Sequence, residues 1–536
     1  MGIYEQFKFN HLNSDVGHID SLFDNESFYA SANIINEKSA DPFISGILQT
    51  DGHVVLRSKV VNVTDNAITN GTSIKALKSF VDSSGTSRLY AVEATTKDMF
   101  TAQQDDTDWV VVTGGTDVWD GATAGLVFKD FSDDGVPTLL FKWLTQNKQL
   151  YYISVAGGTS TLNAVASVFG AVLGIYDQRS WLTEYSTAGS GGKSDRVFYS
   201  DIGDQETYGA TSYFQVGTRG YTLWGMQEFE DNFFIFSANE CYKWDTYQLR
   251  KEFNLGIGGV FNSILDQQIA VAGKRMFFIN RSGNSNMFEF NNENEPMIAF
   301  DKSFIKNQTD PVQIYGRNNE LYVNAGGTAV IKINTENGSS VCFNDPRIDT
   351  NEDALFYPEY FTQGDEGKDL YCAFGAQAYA IKNDIGNDEY SGADKIGILV
   401  TKYIYGNNTQ EISITKNWRE VDIFYNVSDD TLTTEKIDIY YNINKKQRFN
   451  QAPYESLLID SVEVDGLIVN EPGWKLLGSI RSNDFNYNFK RFSFIDSAQS
   501  RQIRLKFVLT RGTSNDSVVF EGFRLYYDLK PFEQTK

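Results

Sequence analysis

Histidine is almost missing from this chain of 536 residues: His11, His18 and His53 are all there is. They cluster at the N-terminal end, outside every repeat described below, so loop positions are the expectation and no histidine base or ligand is at hand in the body of the chain. Cysteine is as scarce. Cys241, Cys342 and Cys372 fit no zinc spacing and leave an odd thiol, which predicts buried thiols in a reducing compartment rather than a disulfide framework. No GxSxG, HExxH or glycine-rich phosphate loop occurs, and the chain is expected to be no enzyme and to hold no cofactor or metal. The opening MGIYEQFKFN lacks an apolar core and has Gln6 where a myristoylation signal needs serine or threonine; synthesis without a secretion signal follows as an expectation. Long hydrophobic runs are missing too. Gln149 to Tyr176 carries no charge, but glycines, serines, threonines and Asn163 interrupt it, leaving far less than the ~20 apolar residues of a spanning helix. No membrane-spanning segment is expected; two buried strands or a partner-facing loop are. Basic residues are outnumbered 47 to 70, for a formal charge of −23, and such a surface repels phosphates rather than gripping them.

What the chain has in excess is aromatic residues, with 29 Tyr, 39 Phe and 8 Trp, together with 44 Gly against 9 Pro. Aromatic side chains suit half-buried pleated surfaces, and glycines suit short turns between strands, so an all-β fold is indicated. A loose unit of aromatic-rich strand, polar turn and second strand recurs. Its leading aromatics are Tyr90, Tyr151, Trp181, Phe234, Phe277, Tyr322 and Tyr371, at intervals of 30 to 61 residues with a mean of about 47. That is the size of one four-stranded β-propeller blade. A lone blade cannot bury both of its faces, whereas a closed ring of six to eight blades can.

Near residue 395 the character changes. Strands such as KIDIYYNI alternate strictly, with Ile437, Ile439 and Tyr441 on one face and Asp438, Tyr440 and Asn442 on the other, the pattern of a half-buried antiparallel strand. The expected organisation is an N-terminal arm and start of the first blade over 1–54, a β-propeller over 55–390, and a jelly-roll-like β-sandwich over 396–531, with the boundary in the glycine- and acid-rich 381–395.

The stretch RVFYSDIGDQETYG, 196–209, runs from strand-forming residues into an acidic turn at Ser200, Asp201, Gly203 and Asp204. An EF-type calcium loop needs oxygen ligands at alternate positions and a closing acid, which DIGDQETYG does not supply. A sialidase-type Asp-box is out of register by one residue, since Ser200 and Asp201 are adjacent. Paired glycosidase carboxylates flank a sugar from separate strands rather than sharing one turn. A structural corner is the reading that remains strongest, with Asp201 accepting backbone N–H bonds and Gly203 supplying a positive φ.

The same stretch, continued as RVFYSDIGDQETYGATSYFQVG and followed by LWGMQEFEDNFFIFSANECYKW and GVFNSILDQQIAVAGKRMFFINRSGNSNMFEF, resembles the propeller proteins of tailed-bacteriophage virions. FKFNHLNSDVGHIDSLFDNESFYASANII, DGHVVLRSK and SIKALKSFVDSSGTSRLYAV are similar to the opening of tail nozzle and packaged-DNA-stabilising proteins, so the resemblance covers roughly residues 5–380. It implies a structural virion protein assembled in the host bacterial cytoplasm: a ring of six identical subunits below the portal and its adaptor. That ring would extend the DNA channel, retain the packaged genome, and carry fibres or spikes. DNA would pass without tight binding, along a wall formed by loops such as QQDDTD and the uncharged 153–176 segment. The rival class is a glycan-binding or glycan-cleaving propeller, a host-recognition adhesin at the tail tip.

Overall fold

In the computed structural model the described residues are 3–8, 44–45, 47–50, 53–56 and 60–529, less 119–125, 144–148, 255–267, 281–285, 301–312, 325–329, 345–358, 365–368, 382–395, 405–414, 428–434, 444–473, 511–517 and other gaps of one to four residues. The expected boundary at 381–395 lies outside them apart from its first residue, Ile381. The chain divides into two compact units, Val61–Gly326 with Pro358–Ile381, and Met1–Val60 with Gly327–Tyr357 and Lys382–Lys536.

Seven four-stranded antiparallel sheets follow one another along the described chain. Their first strands are Ile74–Val81, Leu126–Asp133, Leu173–Tyr176, Leu223–Phe229, Ile269–Ala272, Gln313–Arg317 and Glu359–Gln363. Each of these lies beside the first strand of the next sheet, and the seventh lies beside the first, which closes a seven-bladed β-propeller. The seventh blade takes its outermost strand, Val60–Asn62, from the beginning of the chain. Val63 N–H then donates to the Ala378 carbonyl at 3.0 Å and Ile68 N–H to Ala376 at 2.9 Å, so one sheet ties both ends of the ring together.

Burial explains why the blades read as they do. The second strands, Ser87–Glu93 and Asn232–Ser237, are buried on both faces because each blade is packed between two others, whereas the outer strand Tyr208–Gln215 is largely open. Separate apolar clusters fill successive gaps. Tyr90, Val92, Phe141 and Ile153 join blades one and two. Trp181, Val197, Phe233 and Ile235 join three and four, and Phe234, Phe236, Phe278 and Phe290 join four and five. Leu89, Ala91, Tyr371 and Ala373 seal seven to one. Six of the seven repeat aromatics sit on the second strand of a blade; Tyr151 sits on the third strand of blade two, Gln149–Ala156. The uneven intervals around Tyr151 therefore come from a marker one strand out of phase, since Val136–Trp143 is the equivalent strand there.

Two expectations need correction. Ile44–Ser45, Ile47–Thr50 and His53–Leu56 do not begin a blade. They join the sandwich, as does Ile3–Lys8, and Val54 pairs with Phe520. Ile47–Thr50 pairs antiparallel with His53–Leu56, Thr50 opposite His53, a local pairing that does not say which sheet receives it. The segment 153–176 follows the strand reading, with the strands partly rather than fully buried, and not the loop reading. It contains most of the hairpin Gln149–Ala156 and Thr159–Phe169 and then the first strand of blade three, with Gly157 and Gly158 forming the only turn of that hairpin at φ +57° and +83°. Among the described residues no helix is long and apolar enough to cross a membrane.

The sandwich packs two sheets. One orders Ile47–Thr50, His53–Leu56, Val518–Leu529, Lys416–Val427 and Phe489–Ser500; the other orders Ile44–Ser45, Ile396–Val400, Arg504–Thr510, Lys436–Asn442 and Lys475–Ile480. Ile437, Ile439 and Tyr441 enter its core with Trp418, Phe507 and Tyr527, as the alternation predicts. The opposite face is not exposed, however: Asp438, Tyr440 and Asn442 are all buried. The Lys506 ammonium sits 5.0 Å from the Tyr440 ring and 4.8 Å from Trp474, so cation–π packing covers a face that alternation alone would leave to solvent.

Glycine is required where neighbouring inner strands touch. A Cβ on Gly316 would lie 1.9 Å from the Val271 carbonyl oxygen, a backbone atom, whereas one on Gly225 would meet the mobile Cδ1 of Ile269 at 2.4 Å. Gly316→Ala is expected to destabilise by about 3 kcal/mol and Gly225→Ala by about 1 kcal/mol. Urea unfolding of the two variants checks the order; equal effects would place the crowding elsewhere.

Candidate functional site

The turn singled out in the sequence joins the third and fourth strands of blade three, Arg196–Ser200 and Tyr208–Gln215. It is a corner held from several sides. The buried Ser200 hydroxyl accepts the Ser180 N–H at 3.0 Å and donates to the Asp201 carbonyl at 2.9 Å, while Arg179 Nη1 donates to the Ser200 carbonyl at 2.6 Å. Gly203 has φ +69°, a conformation glycine adopts without a Cβ penalty. Its N–H donates to Gln178 O and its carbonyl accepts from Asp134 N–H, both at 2.8 Å, so the corner is stitched to blade two as well as to its own blade. Gln205 Nε2 adds a bond to Asp133 Oδ2 at 3.1 Å.

The carboxylate roles differ from the expectation. The Asp204 carboxylate accepts backbone N–H groups, from Glu206 at 2.6 Å and Thr207 at 3.1 Å, whereas Asp201 accepts the Asp204 N–H at 3.3 Å through its carbonyl. Asp201 takes part in the corner through its backbone, its N–H donating to Thr207 O at 2.9 Å. An Asx-type turn needs its acceptor two or three residues before the donors, and the Asp204 spacing meets that requirement. Burial works to raise the Asp204 carboxyl, and the Thr207 hydroxyl with the two backbone donors overcomes it, holding the group below its ordinary value of 3.8. Among the described residues no cluster of three or more His, Cys, Asp or Glu could hold a metal.

A second site went unnoticed in the sequence. The inner strands of six blades surround a cavity of about 370 Å³ on the propeller axis, lined by Lys78, Asp130, Gln227, Gln313, Tyr315 and Thr362 among others. Inner strands of adjacent blades do not pair through backbone, so side chains bridge them. Thr362 Oγ1 accepts Ser79 N–H at 3.0 Å, Gln313 Oε1 accepts Tyr360 N–H at 3.0 Å, and Lys78 Nζ meets Asp130 Oδ2 at 2.6 Å. Burial pushes the Tyr315 phenol up to about 12, with Arg317 opposing and Asp130 adding to the rise. The available signal was polar residues in otherwise apolar first strands, as in QIYGR and EYFTQ.

No protein-family description and no curated protein matches this chain. Solved structures with partial likeness include PorZ, described as an essential bacterial surface component of the type-IX secretion system of Porphyromonas gingivalis, with 10% identity and a TM-score of 0.38 over 66% of this chain and 44% of that one. YCF48 from Cyanidioschyzon merolae matches at 9% identity and a TM-score of 0.38, over 61% of this chain and 99% of its own. Saccharomyces cerevisiae Sqt1 matches at 9% identity and a TM-score of 0.36, over 61% and 99%. This chain thus spans less than half of the PorZ length.

Asp204→Ala should lower stability at pH 7 by about 1 kcal/mol, whereas Asp201→Ala should stay within about 0.5 kcal/mol of wild type. Because the folded carboxyl is depressed, its contribution is complete above 3.8 and is lost as pH falls through the depressed folded value. The gap between Asp204→Ala and wild type should therefore narrow in urea titrations carried towards pH 3, and a gap that widens on acidification contradicts the assignment.

Proposed function

We propose that this chain is a structural subunit of a tailed-phage virion, acting in a nozzle ring that extends the DNA channel, retains the packaged genome and anchors fibres or spikes. The observation that supports it is where the resembling segments fall. Residues 196–215 supply the third and fourth strands of blade three, 223–244 the first three of blade four, and 269–290 the first three of blade five. The resembling segments are thus blade scaffold in this chain, and the acidic corner inside them serves the scaffold. No hydrolase activity dependent on Asp201 or Asp204 is part of this reading, and a panel of glycoside substrates tests that: turnover abolished by Asp204→Asn while folding is retained would make the corner catalytic.

The axial cavity constrains the reading further. At about 370 Å³ it has the size of a small-molecule pocket, so a duplex could not thread one propeller, and the channel in this reading is a lumen enclosed by several subunits, six in the family pattern. Portal or adaptor would meet one end of the ring. With a charge of −23 the wall would repel rather than hold DNA, and retention would come from a constriction. Isolated protein should bind duplex DNA only weakly even at low salt, while particles lacking it package DNA and then leak it. Tight, salt-sensitive binding by the isolated subunit, or stable full particles without it, would overturn the proposal; six-fold rings in negative stain would support it.

A further inference from the structure

The axial cavity has features that simple ring closure does not require. Its wall in blade seven carries an irregularity: the pairing of Glu359–Gln363 with Leu370–Phe374 shifts register between Glu359 and Thr362. Within that bulge Tyr360 adopts φ +51°, a conformation that is a real outlier for a bulky residue. Bulges beside cavities re-aim side chains, and here Tyr360 and Phe361 both line the space. The strained backbone is held by the Tyr360 N–H bond to Gln313 Oε1 across the gap between blades.

The lining has a definite chemical character. Lys78 and Asp130 neutralise one another at 2.6 Å, and Lys129 also has a partner of its own, so the cavity offers no uncommitted charge to an ion. What it offers is aromatic surface from Phe128, Tyr315 and Tyr360 beside amide and hydroxyl groups of Gln227, Gln313 and Thr362. Gln227 is half-buried and directs its Nε2 to the Glu228 carbonyl at 2.9 Å, which leaves its side-chain oxygen as an acceptor. Aromatic faces beside a few fixed donors and acceptors, in a volume at the lower end of the ligand-pocket range, suit a small molecule with an apolar face and a rim of hydroxyls.

We propose that the propeller axis is a binding site for a neutral polyhydroxylated ligand of monosaccharide size, seated against Tyr315 and Tyr360 and hydrogen-bonded to Gln227 and the Lys78–Asp130 pair. The site is independent of the virion role, because it needs only a single propeller. Ligand-observed NMR and calorimetry on the full chain, with glucose, galactose, mannose and N-acetylglucosamine as probes up to tens of millimolar, test it. At least one sugar should bind saturably at one site per chain. Gln227→Leu and Asp130→Asn should each weaken it at least fivefold, while thermal unfolding confirms that both variants fold. The assignment is overturned if none of the sugars saturates, if glycerol competes as well as the best sugar, if inorganic phosphate or glutamate binds in their place, or if both folded variants bind like wild type.

Discussion

The propeller depends on seven inner strands fitting around one axis. A blade is wide at its rim, where strands such as Tyr208–Gln215 have room, and narrow at the axis, where first strands of neighbouring blades approach without pairing. Two consequences follow at that narrow end. Side chains must be small where backbones meet, which is why Gly174 faces Met226 and Phe233, Gly225 faces Ile269, and Gly316 faces the Val271 carbonyl. Backbone groups that lack a neighbouring strand must also find side-chain partners, which Thr362 and Gln313 supply. Polar residues at the axis thus satisfy the inner edge, and the space they cannot fill is the cavity.

Ring closure adds a second demand, because an open ring would expose two blade faces. The chain meets it by giving the seventh sheet a strand from residues 60–62, so loss of the closing sheet would uncover the cluster of Leu89, Ala91, Tyr371 and Ala373. Gln377 reinforces the seam, its Nε2 donating to the Thr64 carbonyl at 2.7 Å. Residues up to Val60 group with the unit that holds the sandwich, as do Gly327–Tyr357 and Lys382–Lys536.

Blade size, the aromatic second strands and the sandwich alternation were legible in the sequence because each reflects local periodicity against a buried surface. The positive φ of Gly203 was legible for the same local reason. What was not legible depended on distant partners. The pair Ile47–Thr50 and His53–Leu56 carries its own pairing but not the identity of its sheet, and the outer face of KIDIYYNI is covered by Lys506, far away in sequence. The choice between Asp201 and Asp204 as the turn acceptor needed the actual path of the backbone. The axial cavity needed six strands from across the chain.

The acidity of the chain takes a different meaning once those turns are seen. Several carboxylates are committed to the backbone: Glu93 to the N–H groups of Thr72, Ser73, Thr95 and Thr96, Asp82 to those of Ser84 and Thr86, and Asp245 to those of Tyr247 and Gln248. Others, including Asp134, Asp177, Glu230 and Asp231, occupy tight hairpin turns at positive φ, where Asp is among the few non-glycine residues tolerated readily. Part of the −23 charge is therefore a by-product of building many short turns, not a field selected for its range. The two origins are separable in principle, because asparagine keeps the turn geometry and removes the charge. Near Glu228 the charges still act on one another: burial first, then Asp231 and Asp177, raise its carboxyl. At that end of blade four, turn chemistry has produced a local negative potential that any partner meeting it would have to neutralise or avoid.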